Sequence, residues 1–153
     1  TSTIFTVGTN NLVNESSCNM VAYCFTPIKG YSHFGVYTGM TDNADGPMAY
    51  CGFRPKFVLI KRTDGTENWE ILDTARMKVA KDGTADTGGN PMTARYKPNT
   101  ALAENAVSLD FYSTGFKPKD TDGVHNWTDY KYIYAAFAEM PVVGTNGTIA
   151  LAR

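Results

Sequence analysis

The sequence predicts an all-β domain whose strands form a two-sheet β-sandwich or jelly roll. Apolar residues alternate with polar ones over short runs, and clusters of Gly, Pro, Asn and Asp separate these runs at short intervals. No segment keeps the i, i+3, i+4, i+7 apolar spacing of a packed helix. Because a single sheet would leave one apolar face in water, strands of this number are expected to pack as two sheets.

Six runs along the chain have strand character, and a seventh, near the C-terminus, is a possible closing edge. The six are Asn19 to Phe25, Tyr31 to Tyr37, Phe57 to Arg62, Trp69 to Arg76, Ala106 to Tyr112 and Lys131 to Met140, and the closing edge is Thr148 to Ala152. Between Met77 and Asn105 the pattern fades into polar residues, which predicts a long solvated excursion. Arg76 to Lys81 and Thr100 to Asn105 could each make one helical turn.

A β-hairpin is predicted where Asp64-Gly65 joins two of these strands. Asp-Gly favours a two-residue type I′ turn, because both of its central residues take positive φ. Such a turn fixes which residues face each other across the hairpin. The predicted pairs are Ile60 with Trp69, Val58 with Ile71, and Arg62 with Glu67.

Two later strands show different burial patterns. In Ala106 to Tyr112, the residues Val107, Leu109 and Phe111 share one face, and Ser113-Thr114-Gly115 then turns the chain toward Phe116. Lys131 to Met140 is apolar on both faces, which predicts a central strand covered on two sides.

The domain boundaries follow from an internal similarity. Asn19 to Phe25 resembles Lys131 to Phe137, and each is followed by Pro and then Gly. One interpretation is a complete β-sandwich module at 30–141, preceded by an extension at 1–29 that carries the last strand of an earlier module or an added strand. A C-terminal strand or tail then occupies 142–153. The alternative is two similar buried strands of one sheet.

Length and charge limit the function classes. The chain has 153 residues, enough for one domain, with 14 basic and 15 acidic side chains. The net charge of −1 argues against nucleic-acid binding, which normally needs a concentrated basic face. No apolar stretch is long enough to insert into a membrane, and the first residues lack the layout of a signal peptide. Since the chain begins with Thr, we expect it to be a piece of a longer protein.

No motif predicts catalysis, and no catalytic residue or cofactor is assigned. The two histidines, His33 and His125, lie outside any recognisable motif and are interpreted as non-catalytic. Two facing carboxylates could still form a glycosidase site, and Asp73 beside Arg76, together with Asp110, are the groups to test.

Cysteine number and spacing also limit the chemistry. The three cysteines are an odd number, so at least one is free or paired outside the chain. Cys18 and Cys24 do not have the spacing of a zinc or redox motif. We interpret Cys18, Cys24 and Cys51 as small apolar fillers.

Three further patterns are typical of ligand binding or glycosylation, but they do not identify which residues would bind a ligand or a metal. Thr41 to Gly46 and Lys119 to Gly123 bunch carboxylates and amides as calcium sites do, although Asp, Asn and Gly also favour turns. N-x-[ST] sequons lie at Asn14, Asn126 and Asn146. Aromatic residues near loops could stack on sugar rings or simply fill strands and subunit contacts. They are Tyr31, Tyr50, Tyr96, Tyr112, Trp127 and Tyr130.

Five segments in order carry a resemblance to a known type of module. They are Gly30 to Gly39, Gly52 to Asp64, Trp69 to Arg76, Ser113 to Lys117, and the Tyr-Ile-Tyr-Ala-Ala-Phe-Ala-Glu strand from Tyr132 to Glu139. The chain resembles a module of virion and tail-fibre proteins of tailed bacteriophages, especially marine ones. The resemblance spans about Gly30 to Pro141 and implies a concanavalin-like or jelly-roll β-sandwich in a virion appendage. It supplies no catalytic or ligand-binding residue, and Met77 to Asn105 has no counterpart in it.

The resemblance and the missing catalytic motif predict a non-enzymatic structural and adhesive module of a phage virion. We expect a tail fibre or receptor-binding appendage, in which a homotrimer contacts other virion proteins and host surface glycans. The alternatives are a decoration protein of the capsid head, a glycan-processing enzyme and a secreted carbohydrate-binding module.

Overall fold

The computed structural model describes residues 3–41, 46–76, 90, 92–139, 142–143 and 149–150. Strands dominate these residues, with one helical turn, α1 (Asn11–Asn14), and one 3-10 turn, Thr74–Arg76. The strands are β1 (Ser32–Thr38), β2 (Ala49–Tyr50), β3 (Phe57–Arg62), β4 (Glu70–Asp73), β5 (Met92–Arg95), β6 (Asn105–Tyr112), β7 (Gly115–Pro118), β8 (Lys131–Phe137), β9 (Val142–Val143) and β10 (Ile149–Ala150). None of the helical segments in this part of the chain could cross a bilayer.

Eight of these strands form two four-stranded sheets. The first sheet has the order β1-β8-β3-β4, and the second has the order β2-β7-β6-β5. Every pair of neighbours is antiparallel. The predicted two-sheet β-sandwich is therefore confirmed. The predicted C-terminal edge is a strand in part, but β10 pairs with β9 in a separate two-stranded sheet.

The core lies between the two sheets and is rich in aromatic rings. Phe116 of the second sheet makes edge-to-face contacts with Tyr37 and Tyr134 of the first, at centroid distances of 5.8 and 5.1 Å. Such contacts add to the free energy gained from burial alone. On β6 the alternation is as predicted, with Val107 and the fully buried Leu109 and Phe111 in the core.

The predicted register of the β3–β4 hairpin is wrong by one residue. Ile60 lies opposite Glu70 rather than Trp69, and Val58 opposite Leu72 rather than Ile71. The strands are joined by a seven-residue connection, 63–69, and Gly65 lacks the positive φ that a type I′ turn requires. The physical reason for the observed register is the burial of two β4 side chains, because this register turns Glu70 and Leu72 toward the core.

The side chain of Arg62 contacts residues of the connection 63–69, which replaces the predicted turn. It is 2.8 Å from Asp64 and 4.0 Å from Glu67, so the predicted proximity of Arg62 and Glu67 holds although the turn type does not. The backbone N–H of Trp69 donates to Asn99 Oδ1 at 3.1 Å, which holds the end of the connection against another loop.

Two other segments differ from expectation. Asn19 to Phe25 forms no strand and is exposed throughout. The stretch from Met77 to Asn105 is not wholly a solvated excursion, since it contains β5, whose Met92, Ala94 and Arg95 are buried. Thr100 to Asn105 makes no helical turn. Most of Arg76 to Lys81 lies outside the described residues.

Strand β8 is central in its sheet, as predicted, but it is not covered on two sides. Its inward residues Tyr132, Tyr134 and Ala136 are buried, whereas Ile133 on the opposite face is 39% exposed. Both faces are apolar, yet in the described part of the chain only one faces a second sheet.

Candidate functional site

A cluster of charged side chains lies inside the sandwich. Glu70 is on β4 of the first sheet, Arg95 ends β5 of the second, and His125 lies in the loop 119–130 that leads to β8. Glu70 and His125 are fully buried, and Arg95 is nearly so. Two acids of the same loop, Asp120 and Asp122, complete what we call the charge cluster.

The charge cluster is closely bonded. His125 Nδ1 is 2.9 Å from Glu70 Oε2, and His125 Nε2 is 2.7 Å from Asp120 Oδ1. Arg95 pairs with Glu70 and lies 2.5 Å from Asp122 Oδ2 through its Nη2 atom. Since both ring nitrogens of His125 face carboxylate oxygens, the geometry favours a doubly protonated imidazolium that donates to both.

The neighbouring charges explain the protonation states of His125 and Asp120. Burial alone disfavours a charged imidazole, but the hydrogen bonds and negative charges of Asp120 and Glu70 raise the pKa of His125 to about 9. Burial likewise works against the Asp120 carboxylate, and the hydrogen bond and charge of His125 lower its pKa to about 2. With the imidazole charged, the cluster contains two cations and three acidic side chains, a formal excess of one negative charge. The cluster is therefore an internal ion network at neutral pH.

This network does not offer His125 or Glu70 to a substrate, because neither has any exposed surface; mainly Asp120 and Asp122, at 30% and 33% exposed, reach solvent. Instead, it ties both sheets to the loop 119–130. Tyr37 on β1 donates to the His125 carbonyl oxygen at 2.6 Å, which adds a bond from the core of the first sheet. The cluster thus links segments far apart in the chain. We interpret it as structural.

The same loop contains one of the predicted calcium motifs and one sequon. The carboxylates of Asp120 and Asp122 accept hydrogen bonds from His125, Arg95 and backbone N–H groups. They do not converge on an empty cation site, and no group of three or more metal ligands occurs in the described ranges. The side chain of Asn126 is buried and bonded to Met40 N and the Asp120 carbonyl oxygen, which leaves it inaccessible to glycosylation.

The other two sequons and the other calcium-type motif lie outside this loop. Asn14 is exposed and donates to the Gly8 carbonyl oxygen at 3.0 Å. Asn146 lies outside the described residues, as do four of the six residues of the motif Thr41 to Gly46.

The second histidine borders a pocket. This pocket, of about 510 Å³, lies where β1 approaches β2 and is lined by Lys29, His33, Tyr50, Cys51 and Gly52 among others. His33 Nδ1 lies 3.0 Å from the Tyr134 hydroxyl, which donates its own proton to the Tyr50 carbonyl oxygen at 2.9 Å. His33 must therefore be the donor to Tyr134. The pocket offers polar groups beside an exposed aromatic ring.

Cys51 in this pocket is not an activated nucleophile. Burial raises its pKa to about 12, so the side chain is a neutral thiol at physiological pH. Among the cysteines, only Cys51 is buried, as predicted for an apolar filler. The prediction is wrong for Cys18 and Cys24, which are exposed because the segment that contains them does not join the core.

The acids singled out for glycan hydrolysis do not face each other. Asp73 on β4 alternates with the inward Leu72, and Asp110 on β6 alternates with the inward Leu109 and Phe111. Each acid therefore lies on the outer face of its own sheet, on opposite sides of the sandwich. A glycosidase needs its two carboxyl groups within about 10 Å, with both facing the sugar. The side chain of Arg76 is outside the described residues.

The candidate aromatic residues do not form one platform. Trp127 and Tyr130 make an edge-to-face pair at 6.4 Å, and Tyr130 also lies under the Arg62 guanidinium at 3.5 Å. Tyr50, 64% exposed, is at the pocket. Of the remaining three, Tyr31 packs against Phe137 and Tyr96 pairs with Ile71 through backbone hydrogen bonds. Tyr112 donates to Asp110 and lies two strands from Tyr50, because both tyrosines are opposite Gly115.

Sequence reasoning missed the importance of Glu70 and Arg95. One signal was present, because Glu70 has the same alternation phase as the apolar Leu72 on β4. A charged residue in a core phase indicates a buried ion pair. Its partners are Arg95 of β5, a strand that the polar sequence before it concealed, and His125 of the loop 119–130.

Comparison with known proteins adds a family. No curated protein and no solved structure matches the chain. A family pattern, however, matches residues 1–141 and so includes both the sandwich and the exposed segment before it. The chain belongs to the family described as Domain of unknown function (DUF7483).

Proposed function

We propose that the chain is a non-enzymatic structural and adhesive module of a phage virion, in a tail fibre or other receptor-binding appendage. The virion assignment is supported by the resemblance of the five ordered segments. The adhesive role is supported by one observation above others, the pocket whose rim carries the exposed ring of Tyr50.

A sugar is the ligand class that suits this pocket. A flat aromatic face beside hydrogen-bonding groups matches a pyranose, which has apolar C–H faces and a polar hydroxyl edge. His33 and Lys29 supply polar groups beside Tyr50. A single exposed aromatic ring with a few polar groups binds a sugar weakly, so useful affinity comes from several copies held together, as in a trimer.

The adhesive role is tested with clustered copies of the chain. We expect clustered chains to bind host surface polysaccharide, and Tyr50→Ala to weaken that binding by about tenfold or more, a loss of roughly 1.4 kcal/mol. The matched control is Trp127→Ala, which removes a 52% exposed aromatic ring beside Gly39, past the end of β1 that is away from His33 and the pocket. Equal binding by the two variants would refute this use of the pocket.

The virion assignment needs a separate experiment. Gold-labelled antibodies against the chain are expected to mark tails or fibre tips on purified virions. Label over the head would favour a decoration protein instead. Absence of label from virions would refute both assignments and favour a secreted carbohydrate-binding module.

A glycan-processing enzyme remains the alternative from a different class. The placement of Asp73 and Asp110 on opposite outer faces speaks against that pair of acids. The discriminating measurement is turnover of host polysaccharide and its loss in Asp73→Asn or Asp110→Asn.

A further inference from the structure

One unpartnered apolar surface is the segment before β1. Residues 3–25, which we call the N-terminal arm, are exposed throughout. The arm carries large apolar side chains, and Val21 and Tyr23 are 77% and 82% exposed. A run of large, exposed apolar side chains marks a binding segment, because exposing a contiguous apolar surface to water is unfavourable.

A second apolar surface, only partly covered in the described part of the chain, is the outer face of the first sheet. Antiparallel register places Val36 of β1 beside Ile133 of β8, and Phe34 beside Ala135. Leu59 of β3 continues the face next to Ala135. Val36 is 63% exposed, and nothing in the described part of the chain covers it. We call this surface the outer face.

The structure already shows that the arm and the outer face are compatible. Phe25, at the end of the arm, stacks on Phe34 at 5.7 Å and contacts Phe137 edge-on at 5.9 Å. Both partners belong to the outer face. The remainder of the arm makes no comparable ring contact with the described residues of its own chain.

We propose that the arm of one copy of this chain binds the outer face of a second copy. Each copy supplies one arm and one face, so the two surfaces match in number. The family pattern begins at residue 1, which makes the arm part of the recurring module. Charge also agrees at one end of the outer face, where Lys61 and Lys131 lie, since Glu15 is the arm's only charged residue; Asp73 lies at the other end, beside Phe57.

The arm is long enough for this exchange. A fully extended chain spans about 3.3 Å per residue, which gives the 23 residues of the arm a reach of about 75 Å. A seven-residue strand is only about 23 Å long, and four strands span under about 20 Å across the sheet. The arm can therefore leave its own sandwich and still cross the outer face of a neighbour. The inference concerns how copies assemble and does not depend on the virion assignment.

Sedimentation velocity of the full chain tests the proposal. We expect the unaltered chain to sediment as more than one copy, and Tyr23→Asp in the arm or Val36→Asp on the outer face to weaken self-association by about tenfold or more. The matched control is Leu102→Asp, an exposed apolar residue outside both surfaces, which should leave the mass unchanged. Thermal unfolding of each variant checks that it is folded.

Mixing the two variants gives the sharper result. The Val36→Asp chain keeps an intact arm and the Tyr23→Asp chain keeps an intact face, so an equimolar mixture is expected to associate where each variant alone does not. Failure of the mixture to associate would overturn arm exchange, and association of Tyr23→Asp alone, with Val36→Asp monomeric, would replace it by direct face-to-face contact. A monomeric unaltered chain, or variants that associate as it does, would overturn the proposal outright.

Discussion

Stability is expected to fall as pH rises from neutral, because of His125. The imidazole binds its proton more tightly in the folded chain, with a pKa of about 9 against an ordinary value of 6.5. Its contribution is therefore complete below pH 6.5 and is lost as pH rises through about 9. Each tenfold difference in proton affinity corresponds to about 1.4 kcal/mol, so the full contribution is about 3 kcal/mol. Roughly 2 kcal/mol of this is lost by about pH 8.5.

The assay is urea unfolding at a series of pH values, followed by tryptophan fluorescence. Readings end at about pH 8.5, because Cys51 also contributes a pH dependence at higher pH. The comparison variant is His125→Gln, which cannot titrate. It should be less stable at pH 6.5 and show a much smaller change up to about pH 8.5. An unaltered chain whose free energy of unfolding stays constant over this range would refute the reasoning, as would a variant that keeps the full slope.

Three further predictions follow from contacts in the body and from the arm. The two arm cysteines should react with Ellman's reagent in the folded chain, and Cys51 only after denaturant is added; three reactive thiols without denaturant would contradict this. Gly115→Ala should cost about 2 kcal/mol or more of unfolding free energy, because its Cβ would lie 2.0 Å from the Ala49 carbonyl oxygen, whereas Gly8→Ala, with no neighbour, should cost almost nothing. Asn126→Ala should lower the free energy of unfolding by roughly 2 kcal/mol, since it removes two part-buried hydrogen bonds, with Met40 N and the Asp120 carbonyl oxygen, and empties a fully buried site; the same denaturation measurement checks it.

Local alternation was enough to predict most of the first sheet. The strands β1, β3 and β8 carry several apolar residues in phase, so their existence follows from sequence to within a few residues. Register was less predictable, because the Asp-Gly pair suggested a short turn. What decides the register is the burial of Glu70, which depends on residues about 25 and 55 positions away.

The charge cluster and the arm could not be predicted for related reasons. A charged side chain normally argues against burial, and only the arrival of Arg95 and His125 from distant segments makes Glu70 acceptable inside. Conversely, Asn19 to Phe25 has the composition of a strand, but a strand exists only where a neighbour accepts its hydrogen bonds. In the described chain no neighbour does so.

The charge cluster also constrains how this family can diverge. Removing one partner of a buried ion pair costs about 3–5 kcal/mol, a large share of the 5–15 kcal/mol that holds a typical domain together. Substitutions at Glu70, Arg95 and His125 are therefore tolerated only when their partners change with them, and the three positions should be inherited as a set. Substitutions at the pocket rim and in the arm do not break a buried ion pair, so new ligands and new assembly contacts can evolve there while the interior stays the same.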